Sequence, residues 1–387
     1  MSFYLLPINS NNLDDNNISF KYIEESDNIE LFINKSLQNY INYAKKQIDI
    51  HNSEWDIYKK YTNPYEYIHT IIPNYKNSVS KLKPLSRSFF KLVEILHLLE
   101  IINDIVTPNM VSFHLAEGPG GFIEALSWVR NNPGDIYYGM SLINDDNNTP
   151  GWKKSQYFLN KNPNVKIEYG INKNGDLSDV ENLKYCYKKY NNYIDFITGD
   201  GGFDFSLDFN KQEIISTKLI LYQICFAISM QKENGIFILK IFDLFTQASV
   251  DIIYLLSLCY EKIYIVKPFT SRYANSEKYL VCKKFKLLDR EPIMNKFISN
   301  YHKINETSNF LERILNLTIP YFFLNKLEEY NAIIGQQQIE NIICTINLIN
   351  NTTKEDKLET IKNNNIQKCI QWCIKYKIPY YKLFLNM

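Results

Sequence analysis

The chain has 387 residues, enough for a large core and, on length alone, for two or three domains. With 45% hydrophobic and 22% charged residues it reads as a folded globular protein and not as a disordered or fibrous one. A formal net charge of +1 excludes a protein that coats nucleic acid by bulk charge, while leaving room for a local basic groove.

The 29 Tyr and 23 Phe accompany abundant Asn, Ile and Lys, a bias expected of an A/T-rich genome more than of base-stacking platforms. The cysteines Cys186, Cys225, Cys259, Cys282, Cys344, Cys369 and Cys373 are odd in number and form no CxxC pair. Cys369 and Cys373 could share a helix face, but no further pair completes a zinc site, so reduced thiols and no metal are expected. Met1 to Asn12 carry no basic or long apolar stretch, so no secretory signal is expected. Lys218, Gln223, Lys240 and Asp243 interrupt the longest apolar runs, so no membrane helix is expected either.

In chain order, residues 1–84 are rich in Asn, Asp and Tyr, with a helix expected over Ile29–Ile50 and an aromatic cluster around Asn63-Pro64-Tyr65. Ser86 or Ser88 starts a helix that should run through Asn103, carrying Arg87 and Lys91 one turn apart. Val111–Ala116 reads as a strand that runs into Glu117-Gly118-Pro119-Gly120-Gly121, and Phe122–Val129 as the helix beyond. Such a strand, tight turn and helix lets backbone N–H groups and a helix N-terminus meet a ligand at a sheet edge. It serves nicotinamide, flavin, phosphate and S-adenosylmethionine sites alike.

Further strands are expected at Asp135–Leu142, Val165–Tyr169, Tyr193–Thr198, Gly235–Phe242, Lys262–Lys267 and Glu277–Phe285, with helices over Glu213–Gln231 and Ser249–Cys259. That alternation predicts a doubly wound α/β domain. Beyond Pro292 the pattern turns helical, at Phe310–Leu317, Tyr321–Ile334, Ile339–Ile349, Leu358–Ile361 and Ile366–Tyr376. Asn350–Lys354 and Asn363–Asn365 read as linkers. The organisation expected is an N-terminal accessory region 1–84, an α/β domain 85–290 and an all-α C-terminal accessory domain 291–387.

Asp200, Lys240 and Glu277 fall where a sheet would gather them at one rim, provided that the last strand runs antiparallel. Lys91 on the preceding helix completes the set. A lysine inside Ile-Phe-Ile-Leu-Lys-Ile-Phe is costly unless paired or functional. Two lysines and two carboxylates beside a sulfonium donor suit transfer to a ribose 2′-hydroxyl. A lysine of lowered pKa removes the proton, and carboxylates orient the lysine and the hydroxyl. A nicotinamide enzyme is disfavoured, since there is no GxGxxG and no acidic residue closes a second strand.

His114-Leu-Ala-Glu-Gly-Pro-Gly-Gly-Phe-Ile123, Thr198-Gly-Asp-Gly-Gly-Phe-Asp204, Leu239-Lys-Ile-Phe242 and Asn275-Ser-Glu-Lys-Tyr279 together resemble the FtsJ-like 2′-O-ribose methyltransferases. They are most similar to the Adrift-type branch that modifies cap-adjacent mRNA nucleotides, and Lys267-Pro268 and Ser271-Arg272 fit in order. The resemblance spans about residues 86–290. It implies a Rossmann-like methyltransferase sheet with its last strand antiparallel and a Lys91-Asp200-Lys240-Glu277 tetrad with Lys240 as general base. It places S-adenosylmethionine on Glu117, Gly118, Pro119, Gly120, Gly121, Phe122, Met140, Ser141, Leu142, Asp176 and Asp200, with Asp176 at the adenine amino group.

Arg87, Arg272, Asn275 and Ser276 are the expected RNA contacts, and Lys153, Lys154, Lys283 and Lys284 are further cations within the region. His114 replaces the aspartate with which the wider family opens this motif; it reads as a structural strand residue, with Glu117 supplying the carboxylate. No recognisable acidic ribose clamp follows Leu142; Asp145 and Asp146 are candidates, but a solvated loop is the favoured reading there. Capped mRNA and capping or transcription machinery are the implied partners, without a membrane. Cytoplasmic action is expected, or nuclear action if the source is cellular, with a large DNA virus or a protist fitting the composition. Two alternatives stay open: a methyltransferase for ribosomal or transfer RNA, and a non-catalytic RNA-binding subunit that kept the fold.

Overall fold

A computed structural model describes residues 3–24, 29–143, 151–202, 212–306, 309–351 and 355–384. Asp145, Asp146, Phe203 and Asp204 lie outside the described residues. In chain order the strands are β1 (Phe3–Leu5), β2 (Ile18–Glu24), β3 (Val111–Leu115), β4 (Ile136–Met140), β5 (Val165–Ile167), β6 (Ile194–Gly199), β7 (Gln231–Ile241), β8 (Tyr260–Val266), β9 (Lys278–Phe285) and β10 (Asn309–Leu315).

Eight of them form one sheet in the order β1-β8-β9-β7-β6-β3-β4-β5. From β5 to β7 every pairing is parallel, while β9 runs antiparallel between β7 and β8. Every residue of β3 and β6 is buried, because helices cover both faces. Helices Ser88–Leu98, Gly121–Arg130 and Glu355–Lys375 belong to one core layer; Val180–Tyr190, Gln212–Met230, Gln247–Cys259 and Glu291–Asn305 belong to the other. This is the doubly wound α/β architecture expected, with the last strand reversed as the site required.

The strand register explains why distant residues meet. Leu115 sits opposite Gly199, and Gly199 opposite Leu239, so Ala116, Asp200 and Lys240 all leave the sheet at the same rim. Across the antiparallel pair Ile241 faces Lys278, which brings Glu277, one residue earlier, to that rim as well.

Several elements differ from expectation. β1 adds to the edge of the main sheet through Phe3–Val266 and Leu5–Tyr264, so the N-terminal region contributes a strand to it. The first long helix begins at Lys35 rather than Ile29. The helix carrying Lys91 ends at Leu98, where Glu100 takes a left-handed conformation (φ 50°), and a short turn, Ile101–Asp104, follows.

Phe310–Leu317 is not helical: β10 pairs with β2, almost 300 residues earlier, so the C-terminal region is not all-α. A buried carboxylate, Asp251, accepts the Ile314 and Leu315 N–H groups at 2.9 and 3.1 Å, anchoring that strand. The expected linker Asn363–Asn365 lies inside the helix Glu355–Lys375, because Asn365 is buried and donates to the Tyr61 carbonyl at 2.7 Å. Tertiary bonding there outweighs the weak helix propensity of Asn. Contrary to expectation, Gln212–Met230 is long and apolar enough to cross a membrane despite Lys218 and Gln223, but 78% of its apolar window is buried inside the fold. It is a core helix.

Candidate active site

The turn after β3 is built for close approach. Ala116 and Gly120 have positive φ (51° and 107°), and Gly120 caps the helix Gly121–Arg130. Glu117 folds back so that one carboxylate oxygen accepts the Phe122 and Ile123 N–H groups at 2.7 and 3.0 Å, filling positions that a helix N-terminus leaves open. Burial pushes its carboxyl up to about 8. Gly121 has a packing reason: a Cβ there would lie 2.3 and 2.4 Å from the Ser88 and Ser86 hydroxyl oxygens.

A cavity of about 960 Å³ opens over this turn. Of the residues expected to hold the cofactor, Gly118, Pro119, Ser141, Leu142, Asp176 and Asp200 line it. Glu117, Gly120, Gly121, Phe122 and Met140 are not on its wall and support the turn from behind. At the far end Gly175 (φ 61°) packs so closely that a Cβ would stand 2.0 Å from the Ser141 carbonyl oxygen. Asp176 beside it accepts from the Ser178 N–H and hydroxyl, both at 2.8 Å.

Asp200, Lys240 and Glu277 stand on the opposite wall, with Lys91 paired to Glu277 behind it. Lys240 Nζ donates to the Asp200 carbonyl at 2.6 Å and lies 3.3 Å from its carboxylate. Lys91, buried, meets both carboxylate oxygens of Glu277, at 2.6 and 2.9 Å. Burial lowers the Lys91 ammonium, and the Glu277 charge opposes that loss. Burial also works against the charged form of Glu277, but Lys91 and then Lys240 hold its carboxyl well below the usual range. The buried Tyr279 hydroxyl bridges the two carboxylates, donating to Asp200 at 3.2 Å with Glu277 at 3.4 Å. Such a wall can orient a hydroxyl, accept its proton and stabilise the resulting oxyanion.

His114 is a core residue. Its ring nitrogens meet Ser112 Oγ at 2.9 Å and Thr198 Oγ1 at 2.8 Å, and burial holds it neutral with a pKa of about 3. Among the expected RNA contacts, Arg87 is half-buried beside Ser86 on the cavity rim, and Asn275 lines the cavity. Ser276 is buried against the Gln212 side chain. Arg272 is engaged elsewhere, forked onto Glu66 at 2.6 and 2.9 Å.

Sequence reasoning gave Lys267 only as part of a motif and missed the supporting role of the residues that follow. Lys267, buried, donates to the Asn275 and Glu277 carbonyls and so shapes the loop that carries Glu277; burial lowers its ammonium to about 7. Gln223 accepts the Gly201 N–H at 3.1 Å, fixing the backbone beside Asp200. A lone Gln in an apolar helix was its signal. Gln212, Ile215, Leu219 and Tyr222, which no motif announced, also line the cavity, beside the motif residue Phe242.

Both flanking regions grip the loop 267–277. Besides Glu66, Asn63 accepts the Tyr273 N–H at 3.1 Å, and Gln338 donates to the Ala274 carbonyl at 3.0 Å. Buried Glu94 accepts the Phe269 and Thr270 N–H groups at 2.7 and 3.1 Å, and the Trp372 indole N–H at 3.3 Å. Among the described residues no cluster of three or more His, Cys, Asp or Glu could hold a metal ion.

A largely parallel sheet with β9 reversed beside β7, a glycine turn over a deep cavity and a lysine–carboxylate wall at the same rim define a Rossmann-like methyltransferase. S-adenosylmethionine is the cofactor of this class. The chain belongs to the FtsJ-like methyltransferase family, whose pattern matches residues 84–285.

It is 34% identical over 224 residues to cap-specific mRNA (nucleoside-2'-O-)-methyltransferase 1 of Mus musculus, covering 55% of this chain and 26% of that protein. The Drosophila melanogaster protein of the same name is 31% identical over 256 residues, covering 61% and 31%. The inactive cap-specific mRNA (nucleoside-2'-O-)-methyltransferase 1B of Caenorhabditis briggsae is also similar, at 34% over 175 residues, covering 44% and 20%. The chain thus spans between a fifth and a third of the length of these relatives. Since a relative named inactive is as similar as one named active, overall likeness does not decide activity, and the site must.

Proposed function

We propose that this chain transfers a methyl group from S-adenosylmethionine to the ribose 2′-hydroxyl of a cap-proximal mRNA nucleotide. The observation that carries the reading is the meeting of Asp200, Lys240 and Glu277 on the cavity that the glycine turn opens, with Lys91 paired to Glu277 behind it. Gly118, Pro119, Ser141, Leu142 and Asp176 would hold the cofactor, which supplies an electrophilic methyl carried on a sulfonium. The Lys240 amine, positioned by the Asp200 carbonyl, takes the proton of the 2′-hydroxyl. Asp200 orients that amine, while the Lys91–Glu277 pair forms the charged floor beneath it. Tyr279 bridges the two carboxylates, and Lys267 holds the backbone carbonyl of Glu277. Capped mRNA is the substrate favoured by the relatives' names, and capping machinery is the corresponding partner class.

The test is labelled-methyl transfer to short RNAs that are capped, uncapped, or capped with the first nucleotide already methylated. Transfer to capped RNA is expected, and the third substrate identifies the nucleotide. Lys240→Ala should lower turnover at least ~100-fold, the usual contribution of a positioned base, with S-adenosylmethionine still bound. Preference for uncapped RNA would move the reading to ribosomal or transfer RNA. A Lys240→Ala protein as active as wild type would reject the assigned base.

A further inference from the structure

Among the cations between residues 83 and 284, two sets differ in their pairing. Arg272 is spent on Glu66, Lys283 on Asp104 at 2.6 Å and Lys284 on Glu261 at 3.1 Å. The side chains of Lys83, Arg87, Lys153 and Lys154 make no hydrogen bond or ion pair among the described residues, and the three lysines are exposed. An unpaired cation keeps its full charge for a ligand; a paired one must first lose its partner.

The unpaired set stands on two short segments whose backbones are fixed. Lys83 and Arg87 belong to the segment before the helix Ser88–Leu98. There the Lys81 N–H donates to the Pro379 carbonyl at 2.8 Å, Leu82 N–H to Ser80 Oγ at 3.0 Å, and Leu85 N–H to the Glu124 carboxylate at 2.7 Å. Lys153 and Lys154 belong to the turn Trp152–Ser155, whose Ser155 hydroxyl bonds the Pro119 carbonyl. Both segments press on the same point. A Cβ on Gly120 would lie 3.4 Å from Leu85 Cδ1 and 3.5 Å from the Trp152 ring, so these two side chains flank the glycine turn. Ser86, next to Arg87, lines the cavity itself.

We propose that Lys83, Arg87, Lys153 and Lys154 form a phosphate track for single-stranded RNA, crossing the glycine turn and delivering a ribose to the Lys240 wall. The proposal rests on the reading that ribose is the acceptor. Long cationic side chains on a rigid backbone suit phosphate contacts, which set register and carry no base information. That matches a reaction on the sugar. With a net charge of +1 the attraction has to be local, and this is where unpaired positive charge gathers beside the cavity.

The measurement is the salt dependence of binding, read by fluorescence anisotropy of a short labelled RNA on the full chain. Each replacement of a track cation by Gln should flatten the log–log slope by about 0.7, and replacing all four should flatten it by nearly ~3. Lys284→Gln, a paired cation, should keep the wild-type slope. Capped and uncapped RNA of one sequence should lose equally, because phosphates are read and the cap is not.

S-adenosylhomocysteine binding by the fourfold variant reports an intact cavity; if it is lost, the single variants decide. A wild-type slope in variants whose cavity is intact overturns the track. Slopes that fall as expected while the wild-type chain methylates no RNA would keep the track and remove the methyl-transfer reading.

Discussion

Replacing Glu66 with Gln isolates one clamp on the loop that carries Glu277. Glu66 is almost fully buried, and its carboxylate receives the Arg272 guanidinium at 2.6 and 2.9 Å and the Thr70 hydroxyl at 2.9 Å. Burial alone would raise its pKa, but Arg272 outweighs burial and brings it to about 2 from an ordinary 4.5. A carboxyl with a depressed folded pKa adds stability that is complete above its unfolded pKa and is lost as pH falls through the folded one. Here the window is pH 4.5 to 2. The difference between those values is worth about 3 kcal/mol at pH 7 and about 1.4 kcal/mol at pH 3.

Glu66→Gln removes that contribution and leaves Arg272 unpaired in a mostly enclosed place. Urea unfolding of both proteins from pH 7 to pH 3 should therefore show a stability gap of about 3 kcal/mol that narrows by about 2 kcal/mol on acidification. Turnover should fall, because Arg272 adjoins Ser271, whose hydroxyl donates to Glu277 at 2.9 Å. Binding of S-adenosylhomocysteine at the far end of the cavity should not change. A gap that stays constant across this range would show that the ion pair is not the source of the stability.

Two further substitutions probe the cofactor half of the site. Gly175→Ala places a methyl 2.0 Å from the Ser141 carbonyl, at a left-handed position where the backbone itself must shift. Calorimetry should find S-adenosylhomocysteine bound at least ~10-fold more weakly, about 1.4 kcal/mol, and unchanged affinity would remove Gly175 from the cavity wall. Glu117→Gln keeps an acceptor for Phe122 and Ile123 N–H while deleting an ionisation. Because the folded pKa is raised to about 8, the wild type loses stability as pH climbs from 4.5 through 8. Thermal melts should show the variant gaining on the wild type between pH 6 and pH 9; parallel curves would mean that Glu117 ionises freely in the fold.

The sheet was legible because its signals are local. β3, β6 and β7 are short apolar runs closed by Gly or polar residues, and each was read within a residue or a few of its bounds. The reactive wall was legible for another reason: Lys240 interrupts an apolar run, and such an interruption needs a partner, which Asp200 supplies. Partners far apart in sequence left no such trace. β10 cannot be told from a helix without β2, nor could Arg272 be seen to belong to Glu66, 206 residues earlier, instead of to RNA. Asn365 reads as a breaker until the Tyr61 carbonyl is beside it. Pattern reports what a residue prefers, and long-range bonding decides what it does.

The same contrast bears on what the flanking regions are for. At the rim of a parallel sheet the chain leaves regular pairing, so each loop there must find partners for its backbone or leave them unsatisfied. Here the partners of the loop 267–277 include Asn63 and Glu66 from one flank and Gln338 from the other, with Trp372 bonding Glu94, which holds the same loop. The loop after β7 is held similarly: Asp243 pairs with Lys45 at 3.1 Å, and Asn331 donates to the Leu244 carbonyl at 2.8 Å. One loop ends in Glu277 and the other follows Lys240. The segment that matches the family, 84–285, contains Lys91, Asp200, Lys240 and Glu277 but lacks these outside supports. Positional precision of a fraction of an ångström is what a proton-transfer site needs from its surroundings. The flanks supply that precision at the two loops where the sheet cannot.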